Sequence, residues 1–292
     1  MSKTEQHSNR SGIALARGVV LLTLFAAGGS MFVARSDASA TYARNRDRQA
    51  PTFSPIVELR QYTLHPSRRD GFVDLFDREF VESQEALGMK VIGQFRDLDE
   101  PSRFVWLRGF PDMPSRARSL TAFYDGALWK SLRDSANAAI IDNDNVLLLH
   151  PAHAQTGFVL EHADRPAPGA AGVGTGLVIA TIYHIDAAKA ADFADFFDAK
   201  VAPLFAGAGA AVLAEFLSET GVNTFPRLPV REGEHVFVWF SRFPNATAYE
   251  RFTTALSKSL PWRDTIRAEL TSRIREPQVL RLAPTARSLL HD

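Results

Sequence analysis

Apolar and polar residues alternate from Ile56 to Leu64, with Val57 and Leu59 on one side and Glu58, Arg60 and Tyr62 on the other, which is the period of a β-strand. The period then changes. From Ser67, placed as an N-cap behind Pro66, to Leu87, the apolar residues Phe72, Leu75, Phe76 and Phe80 recur at helical spacing, and Gly88 stands where a C-cap belongs. Residues 89–95 and 103–110 read as two strands joined by the turn-rich segment 97–102, hence an antiparallel hairpin. Residues 115–134 are helical in composition, with a break at Asp125-Gly126, and 145–149 closes the unit as a last strand. The order strand, helix, strand, strand, helix, strand is the split βαβ, or ferredoxin-like, arrangement.

The same order returns over 177–185, 187–205, 211–217, 235–243, 245–259 and 278–282. Phe104-Val105-Trp106 recurs as Phe237-Val238-Trp239, 133 residues on, and Trp129 recurs as Trp262 at that same offset. Tyr62, Phe72 and Phe76 recur as Tyr183, Phe193 and Phe197, but 121 residues on. The two offsets differ by an insertion of 12 residues, and Pro226, Pro229 and Gly233 place it in a loop at 221–234. Each unit has helices on one face of its sheet only, so the two bare faces are expected to pack together and close one α+β barrel with a cavity between them.

Residues 1–40 read as a signal peptide: Lys3, Arg10 and Arg17 precede an apolar run from Gly18 to Ala34, and Ala38-Ser39-Ala40 has the form of a cleavage site. This implies a secreted or periplasmic protein. An uncleaved membrane anchor is the alternative. The remaining boundaries are a tether at 41–55, a first module at 56–151, a Gly/Pro/Ala linker at 152–176, a second module at 177–284 and a tail at 285–292. Lys and Arg total 33 and so do Asp and Glu, which argues against a general nucleic-acid partner. The absence of cysteine excludes disulfides, thiolate metal sites and a cysteine nucleophile.

The segment Val57-Glu58-Leu59-Arg60-Gln61-Tyr62, Leu87-Gly88-Met89 before the second strand, Val105-Trp106, and Trp129 after the second helix together resemble the NIPSNAP family. The resemblance covers residues 55–151, and reaches 176–284 through the internal repeat. It implies the dimeric α/β-barrel superfamily, here as a tandem duplication within one chain, whose members include cofactor-independent monooxygenases and haem-degrading enzymes. Where that family has Pro-Gly after the first strand, this chain has Pro66-Ser67, and either pair is expected to open a helix.

Residues shared by the two units should be scaffold, and residues present in one should mark a site. Glu58, Arg60, Arg108 and His150 are matched in the second unit by Ile179, Thr181, Ser241 and Ala283. Strand parity groups Glu58, Arg60 and Tyr62, and pairs Arg108 with Trp106, so these groups are expected to converge inside the barrel. The expected catalytic set is Arg60, Tyr62 and His150, with Tyr62 and His150 positioning or deprotonating a substrate and Arg60 stabilising its anion. Glu58, Trp106, Arg108, Tyr183 and Trp239 are the expected ligand-binding set. The bland reading is a structural Glu58–Arg60 ion pair. No metal site is expected, and the sequence requires no cofactor. Haem enters as an alternative, with His150 as its axial ligand. The Gly-rich run 169–176 precedes a strand instead of following one, so it is not a dinucleotide loop. The Asp142-Asn143-Asp144-Asn145 run lacks the glycine of a calcium loop and reads as a turn. The expected function is small-molecule binding in the barrel with monooxygenase-like activity. The alternative is a non-catalytic binding or scaffold protein, which can also self-associate.

Overall fold

A computed structural model describes residues 54–160, 165–170, 172, 174–275 and 277–291. The expected signal peptide and nearly all of the tether lie outside the described residues. In the first half, β1 (Ile56–Leu64), β2 (Lys90–Asp97), β3 (Arg103–Phe110) and β4 (Ile140–Pro151) are joined by helix α1 (69–85) and by α2 (Met113–Tyr124) with α3 (Ala127–Asn137). The second half repeats the order with β5 (Leu177–His184), α4 (187–208), β6 (Ala211–Ser218), β7 (Val236–Phe243), α5 (Ala246–Lys258), α6 (262–273) and β8 (Gln278–Pro284). The strands close into one antiparallel barrel in the order β1-β3-β2-β8-β5-β7-β6-β4. Each half supplies four consecutive staves. The seams between halves are short, three residue pairs for β2–β8 and three for β4–β6.

Closure buries both faces of the strands, with different partners on each. The barrel interior is apolar: Val57, Leu59, Val105, Leu107 and Leu147 of the first half meet Val178, Ala180, Phe216, Val238 and Phe240 of the second. Phe158 and Leu160 of the linker and Leu289 and Leu290 of the tail belong to the same cluster. The helix-covered faces form two further clusters, one per half. Tyr62, Trp106 and Leu148 belong to the first, packed with Phe72, Phe76 and Phe80 of α1.

This corrects one expectation. Glu58, Arg60, Tyr62, Trp106 and Arg108 do share a face, but it is the face under α1 and α2, and the barrel interior is a filled core. The same holds for Tyr183 and Trp239, which lie under α4 and α5 of the second half.

Helix α1 starts at Arg69 and has no side-chain cap, so Ser67 is not its N-cap. Ser67 instead takes φ +64°. The left-handed region favours glycine, which explains why a Pro-Gly pair suits this junction and shows that the serine here is strained. The 142–145 run lies inside β4, where register shifts against β1 absorb the irregularity, so it is not a turn between elements. Asp112 caps α2 by accepting a hydrogen bond from Ser115 N at 2.5 Å. A π-helical turn interrupts α1 at Phe76–Phe80 and α4 at Phe197–Val201, the same place in each half.

Candidate functional site

Four buried charges meet between β1, β3 and α2. Strand pairing sets Glu58 opposite Arg108, and Arg60 opposite Trp106, which places two guanidiniums beside the Glu58 carboxylate. Arg60 Nη1 donates to Glu58 Oε2 at 2.8 Å, and Arg108 Nε to that oxygen at 2.8 Å. Arg116, from the first turn of α2, donates through Nε to Oε1 at 2.7 Å. All four side chains are fully buried. Burial alone would push the Glu58 carboxyl up, but Arg108, Arg60 and Arg116 override it and hold it well below the usual carboxylate range.

Three cations against one anion leave the cluster at +2. Neutral acceptors take some of the remaining donors. Gln84 Oε1 accepts from Arg108 Nη1 at 3.0 Å, Asn223 Oδ1 from Arg116 Nη1 at 2.9 Å, and Tyr62 Oη from Arg60 Nε at 3.2 Å. Arg60 Nη2, Arg116 Nη2 and Trp106 Nε1 have no hydrogen-bond partner. Buried donors are seldom left unmade, because each costs about 1–3 kcal/mol.

A cavity of about 210 Å³ lies above this cluster, walled by Phe72, Phe76, Phe80, Phe123 and Trp129. Tyr62, Gln84, Trp106 and Tyr124 form its polar end. The guanidiniums stand one side chain behind that end: Arg108 Cζ is 4.9 Å from the Trp106 ring centroid, and Arg60 Cζ is 5.5 Å from that of Tyr62. Because Tyr62 Oη accepts from Arg60, its own hydrogen is free to point into the cavity. Desolvation holds the Tyr124 hydroxyl above its ordinary value, against the pull of Arg108 and Arg60. Among the described residues, no carboxylate, imidazole or amine lines the cavity.

The 221–234 insertion closes it. From the second half this segment crosses to the first, where Phe225 stacks on Tyr124 at 5.8 Å and, with Arg227 and Leu228, completes the wall. Thr224 Oγ1 donates to the Met113 carbonyl at 3.1 Å.

The structure therefore brings together Glu58, Arg60, Tyr62, Trp106 and Arg108. His150 is separate. It sits in the β4–β6 seam opposite Leu217, half-buried, with Nδ1 2.9 Å from the Pro151 carbonyl, and it does not line the cavity. With no imidazole on the cavity wall, the residues present do not fit a histidine-ligated haem. Tyr183 and Trp239 are also separate, in the apolar core of the second half. Burial pushes the Tyr183 hydroxyl up to about 12.

The second half gives the cluster its contrast. The β5–β7 register pairs Ile179 with Ser241 and Thr181 with Trp239, as β1–β3 pairs Glu58 with Arg108 and Arg60 with Trp106. Gln84 and Arg116 correspond to Phe205 and Tyr249 at the two sequence offsets, and Phe205 packs on Trp239, Phe252 and Trp262 at 5.1, 5.6 and 5.4 Å. One half thus holds charge and a cavity where the other holds rings. Gln84 and Arg116 escaped the sequence reading, although comparison of the two units carries the signal for both. Tyr124, matched by Ser257, carried that signal too; Asn223, Phe225 and Arg227 had none, since a loop's docking place is not written in its period.

No curated protein matches the chain. Among solved structures, a candidate monooxygenase from Fusobacterium nucleatum is 10% identical, with 80% of this chain and 93% of that one covered at a TM-score of 0.50. A NIPSNAP family protein from Agrobacterium tumefaciens is 21% identical over 33% of this chain and 91% of its own, with a TM-score of 0.31. The former likeness concerns the fold alone. Residues 57–154, the span that holds Glu58, Arg60, Arg108 and Arg116, match the NIPSNAP family model.

Proposed function

We propose that the first half of the barrel binds a small, largely apolar ligand through one anionic oxygen, in a protein exported by its N-terminal segment. The observation that carries this reading is the fully buried +2 cluster with unpartnered donors behind an aromatic cavity. A buried cation excess is costly unless an anion meets it, and the equivalent site in the second half shows that the fold does not require it. An apolar cavity of about 150 Å³ holds a benzene ring. A cavity of about 210 Å³ has room for one substituted ring. Its oxygen would accept from the Trp106 indole and the Tyr62 hydroxyl.

Binding is favoured over monooxygenase-like turnover because, among the described residues, no carboxylate, imidazole or amine lines the cavity to serve as a base. Tyr124 is a poor one with its hydroxyl held protonated by desolvation; of the two groups expected from sequence to position or deprotonate a substrate, His150 is elsewhere, and Tyr62 lines the cavity with its oxygen engaged by Arg60. The likeness to a candidate monooxygenase supports the scaffold and leaves the chemistry open.

The test uses 4-nitrophenol, whose phenolate absorbs visible light. Mixed with the full chain at a pH near its own pKa, it should bind with a rise in phenolate absorbance, and Trp106→Phe should weaken that rise. Binding with no change, or with a shift toward the neutral phenol, would overturn the proposal. Oxygen consumption with a bound phenol would restore the oxygenase reading.

A further inference from the structure

Resting on that reading, we infer that the ligand carries a second, outer anionic group, and that Arg227 is the specificity-determining residue that reads it. The ligand class is then a phenolic acid: an aryl ring with its single oxygen inward and a carboxylate on a short arm at the mouth.

The two ends of the cavity differ in what they offer. The inner end presents separate one-hydrogen donors, the Trp106 indole and the Tyr62 and Tyr124 hydroxyls, which suit one oxygen atom and make no bidentate fork. The guanidiniums behind them are already engaged with Glu58 and screened by a layer of side chains, so they supply potential and no fork. A carboxylate placed there would lose its hydration without a bidentate partner. The mouth is the reverse. Arg227 lines it, presents a planar fork, and lies over the Phe225 ring with Cζ 5.3 Å from the centroid.

Arg227 is also available. Its partner is Asp125, at 2.8 Å, and the two side chains are 58% and 54% exposed. Such a pair is weak and screened, so a ligand carboxylate can compete for the guanidinium. The backbone beneath it is not loose. Asn223 Oδ1 accepts from Phe225 N at 3.0 Å, while its Nδ2 donates to the Leu228 carbonyl at 3.0 Å, so the turn carrying Arg227 is tied on both sides. The guanidinium is thus held over the opening by a segment that only the second half possesses.

Equilibrium dialysis of the full chain with 4-hydroxycinnamate, 4-propylphenol and cinnamate tests this. The wild-type protein should bind 4-hydroxycinnamate at least tenfold more tightly than 4-propylphenol, a ratio of about 1.4 kcal/mol. Arg227→Gln should remove most of that advantage and leave 4-propylphenol unchanged. Asp125→Asn, which frees the guanidinium, should strengthen 4-hydroxycinnamate alone. The inference is overturned if the carboxylate brings no advantage in the wild type, or if Arg227→Gln weakens 4-propylphenol equally, which would make Arg227 a plain wall. Either result leaves the anionic-oxygen site standing provided 4-nitrophenol still shifts. If no phenol binds at all, both readings fall.

Discussion

Glu58 is the one anion among three buried guanidiniums, so its loss should cost more than the loss of an ordinary ion pair. Removing one partner of a buried pair leaves uncompensated charge and costs about 3–5 kcal/mol. Glu58→Gln should lower the stability measured by urea denaturation at pH 7 by about that amount. The pH dependence has a definite sign. The folded-state pKa of Glu58 lies below its ordinary value, so the folded protein holds the proton less tightly than the unfolded chain does. The stabilisation is complete above about pH 5 and is lost as the pH falls from there toward the folded value. The gap between wild type and Glu58→Gln should therefore be constant from pH 7 to pH 5 and narrow below. A gap that widens in acid would mean that the cluster is held by something other than this carboxylate.

The elements were largely legible in the sequence, and the faces were not. Period two in β1 and helical spacing in α1 gave both elements, and the repeat gave the second half its order. Alternation also grouped Glu58 with Arg60 and Tyr62 correctly. It could not say which side of the sheet that group faces, because in a closed barrel both sides of β1 are buried, Leu59 as completely as Arg60. The π-helical turns were equally invisible. They recur in α1 and α4 whether or not a charged cluster lies below, so they belong to the scaffold, although such turns often mark sites. The insertion shows what length comparison can and cannot reach. The difference in offsets located the segment, but not the neighbour it covers. Asn223 is the residue that fixes it, accepting from Arg116 and from Phe225 N and donating to Leu228. Asn223→Ala should cost about 1–3 kcal/mol through these lost bonds. Its specific signature should be faster amide hydrogen exchange at residues 223–228 with β1 unchanged. Loss of protection in both places together would show that the segment is part of the global fold and no separate cover.

At the scale of the whole molecule, the two halves are one architecture with two solutions for the space between sheet and helices. The second half fills it with Phe205 against Trp239 and Trp262. The first half keeps an ion cluster and a cavity there, and then needs a segment of the second half to close it. Buried ion clusters are often no more stable than apolar residues of similar volume, and replacing one can gain about 1–4 kcal/mol. Filling a cavity works in the same direction. The first half should therefore be convertible to the second half's solution. A variant combining Glu58→Ile, Arg60→Thr, Gln84→Phe, Arg108→Ser and Arg116→Tyr should fold and should denature at a urea concentration equal to or above that of the wild type. It should also lose the phenolate shift of 4-nitrophenol. Each single change from this set should be destabilising, because it breaks the cluster without replacing it. If the fivefold variant were instead less stable than its worst single member, the cluster would be a structural necessity of the first half. The asymmetry between the halves would then reflect how each one folds, with no ligand needed to explain it.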